Sequence, residues 1–237
     1  MIAADSPGQP RKKINKRRVV ASLLGLPIYF ALFMFLPAGD WAWPRGWLFL
    51  GVFVGVLAVV TPYLWRVNPE VVIARTAVHQ GTKRWDRILL VFFFSAEYAI
   101  IPVAAFDDGR FHWLPTPWWI CAVGYLLFLA GMAIVTWAEA VNKFFEVTVR
   151  IQTERGHHVI DTGPYDIVRH PGYAAGILFS LGIALCLGSL WALIPAGLAS
   201  CLLVLRTQWE DQMLQAELAG YNEYAKRVRF RLVPRVW

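Results

Sequence analysis

The sequence predicts an all-α, polytopic transmembrane protein: four full spans and then a C-terminal helical hairpin, about six membrane helices in all, with a cytoplasmic polar segment between the two parts. Three observations predict it. Hydrophobic residues fill 57% of the 237 positions and charged residues only 16%, where roughly 25% charged is usual in a soluble domain, so polar side chains are too few to coat a water-facing surface. The apolar residues come in blocks near the ~20 residues a helix needs to cross about 30 Å of hydrocarbon. The cations gather in every second gap between those blocks.

The first block, residues 19–39, follows Arg11, Lys12, Lys13, Lys16, Arg17 and Arg18. It is longer than a signal-peptide core and ends without a small-x-small cleavage pattern, so a retained span is expected. Residues 46–65 form the second block. The third, 88–106, carries Glu97 near its middle, and the fourth, 118–138, begins after the breakers Pro115 and Pro117. Residues 171–205 contain no Asp, Glu, Lys or Arg, and as one helix they would reach about 52 Å, too far for a single crossing. Gly188-Ser189 near the midpoint and Pro195 after it turn the chain back. The expected organisation is therefore a basic cytoplasmic arm (1–18), a four-helix membrane region (19–138) and a C-terminal region (139–237) holding the hairpin 173–205. Gly51 and Gly55 add small residues of the kind that favour close helix packing.

With the N-terminus inside, 21 of the 23 Lys and Arg residues fall on the cytoplasmic side, leaving Arg45 and Arg110 outside. This is the positive-inside pattern. It accounts for the net charge of +7 without nucleic acid and places both termini in the cytoplasm, at the inner membrane if the source is bacterial. Cys121, Cys186 and Cys201 lie in apolar stretches without metal-ligand spacing, and the rings of the neighbours His157 and His158 diverge, so no metal is expected.

Chemistry concentrates in residues 139–173, which hold more His, Arg and aromatic side chains than a connector requires. Pro171 suits the first turn of a helix, which puts Arg169 and His170 at the start of a membrane helix, where free N–H groups and the dipole favour a carboxylate or phosphate. Headgroup anchoring is the plainer reading of the same pair. Arg206 and Glu210 share one helix face, four residues apart, and a hairpin returns them to the neighbourhood of Arg169 and His170. A small membrane transporter or channel using intramembrane Glu97 and Glu139 is the alternative, though it leaves this polar motif without a purpose.

The string Gly163-Pro164-Tyr165-Asp166-Ile167-Val168-Arg169-His170-Pro171-Gly172-Tyr173, followed by Arg206, Glu210, Tyr221, Tyr224 and Arg231-Leu232-Val233-Pro234, resembles the isoprenylcysteine carboxyl methyltransferase family, itself similar to phospholipid N-methyltransferases. The resemblance implies an integral membrane methyltransferase that uses S-adenosylmethionine. It places cofactor contacts on Gln152, His157, His158, Val159, Ile160, Tyr165, His170, Pro171 and Tyr173, and the reactive end on Arg206, Glu210 and Arg169. No G-x-G-x-x-G motif in a βαβ setting is present, so the soluble nucleotide-binding fold is not expected. The expected partner is a lipophilic acceptor reached from the bilayer. A carboxylate would need only orientation by Arg206, whereas an amine or thiol would make Glu210 a candidate general base.

Overall fold

In hydrocarbon a helix satisfies every backbone N–H and C=O within its own segment, which is why apolar blocks of this length wind rather than extend. The computed structural model describes residues 16–74 and 81–237; most of the expected basic arm, and the expected inside cation Arg75, lie outside the described residues. The helices are α1 (Lys16–Ala38), α2 (Pro44–Val67), the short α3 (Pro69–Ala74), α4 (Arg84–Ala104), α5 (Trp118–Val141), α6 (Pro171–Cys186), α7 (Leu193–Glu217) and α8 (Tyr221–Arg227). No strand occurs among the described residues. Among the described residues, three helices are long and apolar enough to span a bilayer: α2, α4 with its continuation to Phe111, and α5. Shorter apolar stretches cover Pro27–Ala38 and Pro171–Cys186. The chain is a polytopic helical membrane protein.

The expected hairpin forms. α6 stops at Cys186, Gly188 takes a positive φ of 72°, and α7 starts at Leu193 with Pro195 in its first turn, where no N–H is missed. α7 then continues unbroken past the apolar stretch, so Arg206 and Glu210 do lie on one helix.

The turn is fixed by a buried polar knot. After α4 the backbone widens into a π-helical turn, Ala105–Phe111, which presents the adjacent Asp107 and Asp108 to different partners. Asp107 accepts from Ser189 Oγ (2.6 Å) and from the Leu114 amide (3.1 Å). Asp108 accepts from Trp43 Nε1 at 2.8 Å and pairs with Arg45. Arg45 also donates to the Thr116 carbonyl (2.5 Å), and Thr116 Oγ1 donates to the Gly188 carbonyl (2.7 Å). Each buried polar group here answers another, as a low-dielectric setting requires.

Glycine sets the closest helix contact. A Cβ on Gly124 of α5 would lie 2.2 Å from the Cys186 amide nitrogen, and one on Gly182 of α6 would lie 2.6 Å from the Phe128 nitrogen. Gly131 meets the Ala175 carbonyl in the same way, at 2.8 Å. Gly51 and Gly55 behave otherwise: a Cβ on either would meet nothing within 4 Å, so these two small residues of α2 serve no close contact in the described fold.

The two carboxyls of the transporter reading sit apart on different helix pairs. Glu97 of α4 accepts from Ser180 of α6 at 2.7 Å, whereas Glu139 is buried near the end of α5, where its backbone carbonyl accepts from Asn68 at 2.7 Å.

Replacing Gly124 with Val should destabilise the detergent-solubilised protein by about 1–3 kcal/mol through overpacking, while Gly51→Ala should be neutral or slightly stabilising because helix propensity favours Ala. Thermal unfolding of the two variants measures the contrast; equal effects would contradict the packing described.

Candidate active site

The site lies where α6 begins, at the end of the helix bundle opposite the polar knot. Proline at the first helical position of α6 stops the helix from extending back, and His170, with φ −127°, is the residue before it. The preceding segment is bent by two left-handed glycines. Gly156 (φ 62°) closes a short turn at 153–155, and Gly163 (φ 62°) opens another, pressed against Trp137. The result is a half-open cleft lined by these turns, the start of α6 and the end of α7 expected in the cytoplasm.

The structure brings all nine expected cofactor residues to the lining of this one cleft, together with Arg169 and Glu210. Several have well-defined duties there. Gln152 is buried and its side chain bridges its own loop, donating to the Phe144 carbonyl (2.7 Å) and accepting from Arg155 Nη1 (2.6 Å). Its amide donates to His157 Nδ1 at 3.3 Å, which leaves the proton of a neutral His157 on Nε2. Burial, then the nearby His158 and Arg155 charges, lower the His157 pKa to about 4. Its ring lies 4.6 Å from that of Phe144, and His158 meets the same ring edge-on at 5.0 Å. Val159 packs on the cluster formed by Leu218, Tyr221 and Tyr224, and Ile160 continues that wall. Tyr165 is fixed at both ends: its hydroxyl accepts from Asn142 (2.9 Å) and its carbonyl from the Tyr224 hydroxyl (2.6 Å).

Where α6 meets α7, the hairpin does bring its two extremities together. The rings of His170 and Tyr173 stack at 5.7 Å, Tyr173 donates its hydroxyl to Glu210, and the Arg206 guanidinium lies 5.2 Å from the Tyr173 ring centroid.

Two of the expected cations make contacts that the sequence did not indicate. Arg206 is not part of the cleft lining: it donates to Asp86 (2.7 Å) and to the Val147 carbonyl (2.6 Å) and backs the Tyr173 ring from behind. Arg169 reaches the cleft, but its guanidinium faces inward. It grips both oxygens of Asp211 (2.7 and 2.8 Å) and donates to the carbonyls of Val228 and Arg229 (2.8 and 2.9 Å), so four of its five N–H groups are engaged.

Sequence reasoning missed both carboxylates that hold these arginines. Asp86 is fully buried in the first turn of α4 and also accepts from the Val149 amide (2.7 Å); in the sequence it is hidden among Lys83, Arg84 and Arg87. Asp211, also fully buried, accepts from Arg169, His170, Gln215, Tyr221 and Arg231. Burial would raise its carboxyl, but hydrogen bonds from His170 and Arg169, with Arg231 behind them, hold it well below the usual carboxylate range. The one available signal was its position beside Glu210: neighbours on a helix diverge by about 100°, so one acid faces Tyr173 and the other Arg169.

The chain resembles known proteins over this region. The sequence model of the family described as phospholipid methyltransferase matches residues 119–219, from the start of α5 to just past the end of α7. Protein-S-isoprenylcysteine O-methyltransferase B of Arabidopsis thaliana is 29% identical over 162 residues, 64% of this chain and 80% of that protein. The chain is therefore similar in sequence to proteins described as methyltransferases. A probable protein-S-isoprenylcysteine O-methyltransferase of Oryza sativa subsp. indica is 28% identical over 123 residues, 47% of this chain, and the match spans 60% of that relative's length.

The neutral His157 gives the cleft wall a pH dependence. Its pKa rises from about 4 in the folded loop to about 6.5 on opening, so the open form binds more protons and the closed loop loses stability as pH falls from 6.5 towards 4. Exchange of the Gln152 amide should therefore accelerate, relative to the intrinsic rate, across that window and do so far less in His157→Gln. A wild-type profile parallel to the intrinsic rate would contradict this.

Proposed function

We propose that this protein is an S-adenosylmethionine-dependent methyltransferase acting on a lipophilic acceptor at the cytoplasmic face of the membrane it spans. The observation that carries the reading is the make-up of the cleft: its wall comes from the polar segment between α5 and α6, and its floor from the first turn of the apolar helix α6 with Tyr173 and Glu210. Such a site can admit an aqueous cofactor from one side and an apolar acceptor from the other. The kinship with methyltransferases supports it, and the cation count supports cytoplasmic termini.

The residues present fit the cofactor. The cleft combines aromatic faces (Phe144, His157, Tyr165), on which an adenine ring can lie, with polar groups that can answer a nucleoside and an amino acid. S-adenosylmethionine supplies an electrophilic methyl group, whose transfer needs an in-line nucleophile and exclusion of water more than a covalent enzyme intermediate. Gln152, His157, His158, Val159 and Ile160 form the wall that would hold it, with the neutral His157 offering an Nε2 donor. Tyr165, His170, Pro171 and Tyr173 shape the floor.

Glu210 is the group placed to receive a proton when an amine or thiol acceptor is methylated; a carboxylate acceptor has none to lose. Arg206 and Arg169 act through their neighbours. Arg206 sets Tyr173, and through it the Glu210 hydrogen bond; Arg169 fixes the entrance to α6. The names of the plant relatives point to an isoprenylcysteine carboxylate and the family description to a phospholipid amine. The acceptor's chemical class is therefore drawn from these two.

Radiolabelled S-adenosylmethionine should bind saturably to the purified protein in lipid, and Glu210→Gln should slow methylation of an amine acceptor by about 100-fold while changing cofactor affinity by less than about threefold. Absence of binding would overturn the methyltransferase reading. Equal losses of binding and turnover would overturn the role given to Glu210.

A further inference from the structure

Residues 228–237 follow α8 as an irregular strap that the chemistry above does not use. It is bonded directly to the motif at the start of α6. The Arg169 amide donates to the Phe230 carbonyl and the His170 amide to the Arg231 carbonyl, each at 2.9 Å. Arg169 adds its side-chain bonds to the Val228 and Arg229 carbonyls, and Arg231 reaches Asp211 at 2.9 Å. The strap is also closed on itself: the amides of Arg231, Leu232 and Val233 converge on the Trp237 oxygen at 2.9–3.1 Å, with the Arg231 guanidinium over the Trp237 ring. It is thus a defined loop held level with the first residue of a membrane helix.

Its outer face has a definite character. Val228 and Leu232 are buried, whereas Val233 and Val236 are exposed, Val236 at 77%, and Ile167 of the motif beside them is half exposed. Arg229 and Arg235 are exposed as well, and no Asp or Glu occurs from 228 to 237. The preceding cations differ: Lys226 pairs with Glu223 and Arg227 with Asp161. An apolar surface interleaved with arginines that have no acidic partner among the described residues, beside the start of the apolar helix α6, is complementary to anionic headgroups over acyl chains.

We infer that the strap is an anionic-lipid sensor: phospholipid headgroups bind Arg229 and Arg235 while Val233 and Val236 enter the interface, and this contact steadies Arg169 and His170 and so the cleft. A ligand can shift an equilibrium only through differential affinity for its two states; here the anionic surface favours the docked strap, and the docked strap is the one bonded to residues 169 and 170. The lipid contact stands independently of the methyltransferase reading, while the effect on the cleft rests on it.

The test uses the full chain in nanodiscs of phosphatidylcholine alone or with about 30 mol% phosphatidylglycerol. Without any small ligand, amides in 229–237 and those of Arg169 and His170 should exchange about tenfold more slowly in the anionic discs, and the R229Q/R235Q double variant should lose most of that difference. S-adenosylhomocysteine should bind about fivefold more tightly in the anionic discs, again only with both arginines present, and the double variant should match wild type in neutral discs. Exchange that ignores headgroup charge, or a lipid effect that survives R229Q/R235Q, overturns the proposal. If S-adenosylhomocysteine binds in neither lipid, the cofactor reading fails, and the exchange comparison still decides the lipid contact.

Discussion

The carboxylate of Asp211 is the interaction on which the rest of the site depends. It is fully buried, yet six donor groups from five residues converge on it: two from Arg169 and one each from His170, Gln215, Tyr221 and Arg231. Those residues belong to the motif before α6, to α7, to α8 and to the terminal strap, of which the last three also share a small apolar cluster through Leu214, Leu218, Tyr221, Tyr224 and Val228. A buried charge is costly unless it is fully answered, so each donor that leaves raises the cost of the state left behind. The arrangement therefore favours all contacts or none, and it makes the entrance of α6, the far wall of the cleft and the strap a single cooperative unit.

Asp86 repeats the device on a smaller scale. By joining Arg206 of α7 to the start of α4 and to the Val149 amide, it sets the depth at which the Tyr173 ring lies and where its hydroxyl meets Glu210. The opposite end of the bundle is closed by Asp107 and Asp108 with Arg45, Thr116 and the hairpin turn. Polar knots fix both ends of the hairpin, and the glycine contacts of α5 with α6 hold its middle. A cleft built from loops thus inherits its geometry from rigid helices.

Much of the fold was legible because hydrocarbon imposes length and uncharged composition on whole blocks of sequence. The doubling back of 171–205 followed from arithmetic alone, since one helix of that size overshoots the bilayer. What could not be read was which small residues make contacts: Gly51 and Gly124 look alike in sequence, and only the three-dimensional neighbours separate them. The cleft lining was legible through motif resemblance and through the inference that the hairpin's ends meet. The charge partners were not. Arg206 and Glu210 suggested a local i,i+4 pair, but the partner of Arg206 comes from 120 residues away, and Asp211 carries no pattern of its own beyond adjacency to Glu210. Long-range ion pairs leave no periodic signature.

The claim that Asp211 gathers these segments is tested most directly by a double-mutant cycle between Arg169 and Asp211, read as thermal stability and as protease cleavage within 228–237. Arg169→Gln and Asp211→Asn should each cost about 3–5 kcal/mol by stranding a buried charge and should free the strap for cleavage, while the double variant should be no less stable than the worse single one. Additive losses, or a strap that stays protected in Asp211→Asn, would contradict the account.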